Sequence, residues 1–83
     1  MFGGADVVDN APLQSYEVKP AGFTITLLDG QVWRQTEEDA EKKPVNWYQP
    51  ASSMRVTISQ GAMRSFNLVV GGGNVHHKVR RIR

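Results

Sequence analysis

The stretch FTITLLDGQVWRQT, residues 23–36, constrains the fold more than any other part of the chain. Phe23, Ile25 and Leu27 alternate with Thr24 and Thr26, the period of two that sends one set of side chains to each face of a half-buried strand. Asp29 and Gly30 both tolerate positive φ and suit the central places of a tight hairpin turn, so QVWRQT is expected to return antiparallel to the first run. A chain built around such a hairpin has a sheet with one apolar face, and that face must be covered.

The same alternation recurs downstream. MRVTIS places Met54, Val56 and Ile58 on an inner face and Arg55, Thr57 and Ser59 on an outer one, and SFNLVV offers Phe66, Leu68 and Val70 as its inward set. After the reversal GGGN, the run VHHKVRRI puts Val75, His77 and Val79 on one face and His76, Lys78 and Arg80 on the other. Between these runs EEDAEKK suits a helical turn that Pro44 keeps short. PVNWYQPASS reads as an ordered loop whose Trp47 and Tyr48 cover one end of the core. Residues 1–22, with scattered apolar side chains and prolines at 12 and 20, read as a flexible lead-in or a weak edge strand, leaving 23–83 as the domain. Five short strands with tight reversals predict an all-β fold. The expected architecture is a small five-stranded antiparallel meander barrel, SH3-like or alternatively OB-like, because closure is how so few strands hide their edges.

Composition narrows the class. With 83 residues the chain holds one small core, and with no cysteine it has neither disulfides nor a thiolate metal site to support it. No run reaches the roughly 18 apolar residues of a membrane span, and the N-terminal stretch lacks the basic start and apolar middle of a signal peptide. A soluble chain is expected. Charge is divided sharply along the sequence. Residues 1–50 carry eight acids against four bases, a net of −4, whereas residues 51–83 carry six bases and no acid, a net of +6. Such a division marks either an anionic partner or two halves that attract each other within one fold.

Catalytic chemistry finds little support. Adjacent strand residues point to opposite faces, so His76 and His77 cannot readily share one metal ion, and no metal or cofactor is expected. The serines lie in no GxSxG elbow, and no Asp lies beyond Ala40 to orient a histidine. The carboxylates of EEDAE read as solvated, and VVGGGNV leads into neither a helix nor a GK[ST] sequence. The expectation is a binding or structural module and not an enzyme. One partner class is nucleic acid, read by Arg55, Arg64, Lys78, Arg80, Arg81 and Arg83 with Trp33, Tyr48 and Phe66 as stacking groups. The other is a protein or envelope component. Gln31, Trp33 and Gln35 share one face of the second strand of the hairpin, too polar for a plain core and suited to a ligand or partner. Alternatively, Trp33 closes the barrel and the glutamines bond to loop backbone. The candidate binding residues are therefore Gln31, Trp33 and Gln35 on one face, and Arg55, Lys78 and Arg80 on a basic strip.

FTITLLDGQVWRQT, MRVTISQGAMRSFNLVV and VHHKVRRIR together resemble a group of short bacterial proteins of unknown function. Their pattern joins a strand ending in L-x-[ND]-G-Q-x-W-x-Q to V-x-I-x-x-G-[AL]-[LM]-x-S-[FY]-x-L and a final V-[KR]-V-[KR]-R. The likeness covers residues 23–83 and departs from the pattern at Arg64, where a glycine is expected, and at His76 and His77. Members often carry an export signal and a mature start near a Phe-Gly pair like that of MFGGAD. The resemblance thus implies a mature exported chain, with a start methionine added, in a bacterial periplasm or envelope.

Overall fold

The computed structural model describes residues 6–83, which form a closed antiparallel barrel of six strands. The strands are β1 (Asp6–Lys19), β2 (Gly22–Leu27), β3 (Val32–Gln35), β4 (Arg55–Gln60), β5 (Phe66–Val70) and β6 (His77–Arg81), with one short helix, α1 (Glu37–Lys42), between β3 and β4. Around the barrel the order is β1-β2-β3-β6-β5-β4, closed by β4 on β1. The chain thus forms two three-stranded meanders joined at both seams, β3 with β6 and β1 with β4. The expected antiparallel barrel is present with six strands in place of five.

The additional strand comes from the segment expected to be a lead-in or an edge. Residues 6–12 pair with β4 and residues 13–19 pair with β2, so β1 is a full strand of the barrel wall that pairs first on one side and then on the other. Residues 1–5 lie outside the described residues. β1 shows no clear period because its register slips three times, between Asp6 and Val8, Val8 and Ala11, and Leu13 and Ser15. Each slip resets which face a side chain takes and bends the strand, which lets one strand pair with β4 and then with β2. Asn10 sits at one of these places with a φ of 49°. Its backbone N–H donates to Thr57 Oγ1 at 3.0 Å, and its carbonyl accepts from Arg55 Nη1 at 3.1 Å, so β4 fastens the bend with two outward side chains.

The β2–β3 hairpin differs from expectation in one detail. Gly30 N–H donates to the Leu27 carbonyl at 3.0 Å and Leu27 N–H to the Gln31 carbonyl at 2.8 Å, which leaves a three-residue loop of Leu28, Asp29 and Gly30. Gly30 has a φ of 96° and Asp29 has no positive φ, the pattern of a type I turn followed by a left-handed residue. Gly22 opens β2 at φ 133°, and a Cβ there would stand 3.1 Å from the Gln35 carbonyl oxygen. Close approach of β2 to the end of β3 needs a glycine at that position.

The core follows the alternation. Val8 and Leu13 of β1, Phe23, Ile25 and Leu27 of β2, Trp33 of β3, Met54, Val56 and Ile58 around β4, Leu68 of β5 and Val79 of β6 are all buried. Phe66 and Val70 are half-buried against them, and Phe66 meets the Trp33 ring edge-on at 5.1 Å. Trp47 covers one end of the core as expected, tilted on Phe23 at 4.5 Å and edge-on to Tyr16 at 5.5 Å. Its neighbour Tyr48 does not cover the core but is 83% exposed. Val75, expected inward, lies before β6 begins and is 54% exposed. Among the described residues no helix is long and apolar enough to cross a membrane.

Candidate binding surface and the buried polar centre

β3 and β6 are neighbours through the register Trp33↔Arg81, Arg34↔Arg80 and Gln35↔Val79. One consequence is that Trp33, Gln35, His77 and Val79 point into the barrel while Arg34, Lys78 and Arg80 point out. The predicted Gln31-Trp33-Gln35 face is therefore an interior one. Trp33 and Gln35 are each 2% exposed, so neither can touch a partner in this structure. The Trp33 indole N–H donates to Gln31 Oε1 at 2.9 Å, and Gln31 Nε2 donates to Asp29 Oδ2 at 2.8 Å, a chain that closes the barrel end at the hairpin loop. Asp29 Oδ1 also accepts from the Gln31 backbone N–H at 3.0 Å, and these two bonds from Gln31 hold the Asp29 carboxyl below its ordinary value.

At the opposite end of β3 lies a polar centre. Gln35 Oε1 accepts from the Phe23 backbone N–H at 3.2 Å, and Gln35 Nε2 donates to Asp39 Oδ2 at 2.7 Å and to the Lys43 carbonyl at 3.1 Å. Those two bonds use both N–H groups of the amide. The 3.4 Å approach of Gln35 Nε2 to His77 Nδ1 consequently has no proton left for it, and His77 Nδ1–H itself donates to Asp39 Oδ2 at 3.1 Å. Asp39 is delivered to this place by α1. Thr36 caps the helix by accepting the Asp39 N–H on its Oγ1 at 3.2 Å, and Pro44 ends the helix within two turns, so the third helical residue faces the barrel mouth. Burial pushes the Asp39 carboxyl up, but hydrogen bonds from Gln35, the Lys78 backbone N–H and His77, with the histidine's charge, together hold it below its ordinary value of 3.8. Among the described residues no buried side-chain nitrogen or oxygen lacks a partner.

The three bases of the predicted strip do not form one strip. Lys78 faces Asn67 and Asn67 faces Ser59, so Arg55 lies four residues further along β4 and two strands away from β6. That separation is ~13 Å along the strand and ~10 Å across the sheet. Arg55 is instead the brace for the β1 bend. Its place beside Lys78 and Arg80 is taken by Arg34, the direct cross-strand neighbour of Arg80. Two like charges opposite one another disfavour the pairing. Among the described residues the ion pairs are Glu17–Lys19 and Asp39–His77, so neither arginine has an acid in contact to offset this cost. Arg34 and Arg80 line a shallow cleft of about 490 Å³ with Gln35, Thr36, Glu37, Glu38 and Ile82, so two glutamates of α1 border the cationic pair without bonding to it.

Sequence reasoning missed Arg34, Asp39 and His77 as parts of a site. Asp39 was expected to be solvated with its acidic neighbours, yet it is 6% exposed. The cue was present in T-x-x-D ahead of Ala40, which marks a cap and fixes the third residue of the helix. His77 was placed on the inner face, but nothing in the sequence tied it to an acid 38 residues away. Of the residues expected to stack on bases, Trp33 is buried, Phe66 is half-buried and Tyr48 alone is fully in solvent. His76 and His77 diverge onto opposite faces, and among the described residues no group of three or more potential metal ligands converges. Comparison with family models, with curated proteins and with solved structures found no match.

Proposed function

We propose that the protein is a non-catalytic binding module that engages an acidic protein surface through the outer face of β3 and β6, in a bacterial periplasm or envelope. The observation that carries this reading is the Arg34–Arg80 pair, exposed, directly cross-strand, without an acidic partner and bordered by Glu37 and Glu38. Two arginines held together against their own repulsion favour a partner that supplies the missing negative charge. The bordering glutamates repel an extended polyanion but can complement a protein face of mixed sign. Ile82, 55% exposed, adds an apolar contact beside the pair. The envelope location rests on the sequence likeness of residues 23–83 alone.

A second reading, single-stranded nucleic acid on the same face, draws on the six bases and no acids of residues 51–83. It is weakened by the burial of Trp33 and the packing of Phe66, since base stacking supplies much of the affinity of such sites. A calorimetric titration with a mixed Glu/Leu peptide and with oligothymidylate separates the two. Peptide binding that Arg34→Glu with Arg80→Glu abolishes supports the protein reading. Binding of the oligonucleotide alone, with a steep salt dependence, would favour the second.

A further inference from the structure

The barrel is not sealed evenly. β5 and β6 pair only through Phe66↔Val79, Asn67↔Lys78 and Leu68↔His77, so beyond His77 the two strands part. A cleft of about 550 Å³ occupies the gap, between the segment after α1 and the β5–β6 turn. Val45, Trp47, Val70 and Val75 give it apolar walls, Lys42 and Lys43 stand on its rim with Asn46 and Asn74, and His77 lies at its floor. No acid, hydroxyl or thiol lines it.

The imidazole on that floor is held in one orientation. Nδ1–H donates to Asp39 at 3.1 Å and the ring stands edge-on to Phe23 at 5.5 Å. With Nδ1 so engaged, the other ring nitrogen, Nε2, has no partner among the described residues. Because no buried side-chain nitrogen among the described residues is left unsatisfied, Nε2 must reach the cleft. In the imidazolium form the ring has its charge countered from behind by the Asp39 carboxylate and offers Nε2–H to an anion in front. The lysines on the rim favour the same sign of ligand.

We propose that this cleft binds a small organic acid with an aromatic or branched apolar body, its carboxylate on His77 Nε2–H and its body against Trp47, Val45, Val70 and Val75. The volume lies within the range of small-ligand sites. A free acid fits better than the end of a peptide chain. The strand-side carbonyl that an added peptide would pair with, that of His76, is already taken by Lys43 Nζ at 2.7 Å. That lysine keeps two N–H groups for the ligand. This site is separate from the outer Arg34–Arg80 face and does not depend on the function proposed for it.

The test is an NMR titration of the full chain with phenylacetate, following the His77 ring, the Trp47 indole and the valine methyl groups, with phenylacetamide as the uncharged control. Phenylacetate is expected to shift His77, Trp47, Val45, Val70 and Val75 together. Phenylacetamide is expected to bind at least about tenfold more weakly. The charged and titratable groups around His77 are Asp39, Lys42 and Lys43 from α1 and its end, and His76 and Lys78 beside it in the chain; β2, β5 and residues 44–47 present none. Val75→Asp and Lys42→Glu, both at exposed positions, should keep the fold and each weaken phenylacetate by about tenfold through like-charge repulsion. Absence of shifts at His77 and Trp47 at millimolar phenylacetate, equal binding of phenylacetamide, or unchanged affinity in either folded variant overturns the proposal. Tighter binding of the dipeptide Gly-Phe than of phenylacetate overturns the choice of a free acid.

Discussion

Arg34 and Gln35 are neighbours in the chain and opposites in every physical respect. Gln35 is 2% exposed and has its oxygen and both amide N–H groups bonded, whereas Arg34 is exposed and stands opposite another arginine with no acid in contact. The contrast extends across the pair of strands. On the inner face of β3 and β6, the Trp33 indole N–H, the Gln35 amide and His77 Nδ1 are all hydrogen-bonded within the barrel. On the outer face, Arg34, Lys78 and Arg80 are exposed and do nothing visible for the fold. Buried polar groups survive selection for stability only when satisfied, so the inner set is explained by folding. The outer set is not, and that makes it the better candidate for a partner.

The comparison breaks first if the inner face proves dispensable. Trp33→Ala removes the largest buried side chain and is expected to cost about 3–5 kcal/mol, much of the stability of a domain this size, as measured by urea unfolding. A folded Trp33→Ala variant of unchanged midpoint would mean that the indole is not core. Next, Asp39→Ala strips the polar centre of its only carboxylate and leaves His77 Nδ1–H and a Gln35 N–H without an acceptor. A loss of about 3 kcal/mol is expected in the same assay. Because the folded-state pKa of Asp39 is lowered, its contribution is fully present above the ordinary carboxyl value and is lost as pH falls through the lowered one. Wild-type stability should therefore drop below about pH 3.8, and Asp39→Asn should flatten that drop.

Smaller effects sharpen the contrast on the outer face. Arg55→Ala removes the brace on the Asn10 carbonyl and is expected to cost about 0.5–1 kcal/mol, without changing binding at β3 and β6. Arg80→Glu sets an acid opposite Arg34 and is expected to stabilise the barrel by about 0.2–1 kcal/mol while abolishing capture of an acidic peptide. A variant that gains stability and loses binding is the signature of a surface kept for function. Loss of both together would return Arg80 to the structural set.

Much of the barrel was legible in the alternation of residues 23–36, 54–59 and 66–80, because a period of two survives wherever a strand is regular. β1 was not legible, because three register slips erase the period and because its pairing changes partner midway. A strand of that kind is visible only through its neighbours. The inward direction of His77 followed from alternation, but its acid did not, since the contact joins α1 to β6 across 38 residues. Arg34 was set aside for a related reason. Its importance comes from facing Arg80, and cross-strand register between β3 and β6 is a property of closure, not of either strand alone. Arg55, by contrast, looked like its outward neighbours in pattern and differs only in being tied to a bend the sequence does not announce.

The most direct measurement is an amide- and side-chain-resolved NMR titration of the protein with a Glu/Leu peptide at low and moderate salt. The account predicts shifts at Arg34, Lys78, Arg80 and Ile82 that weaken as salt rises, with the Trp33 indole N–H and the Gln35 amide N–H unmoved. Shifts centred on Trp33 and Gln35, or a titration that leaves the outer face of β3 and β6 unmoved, would contradict it.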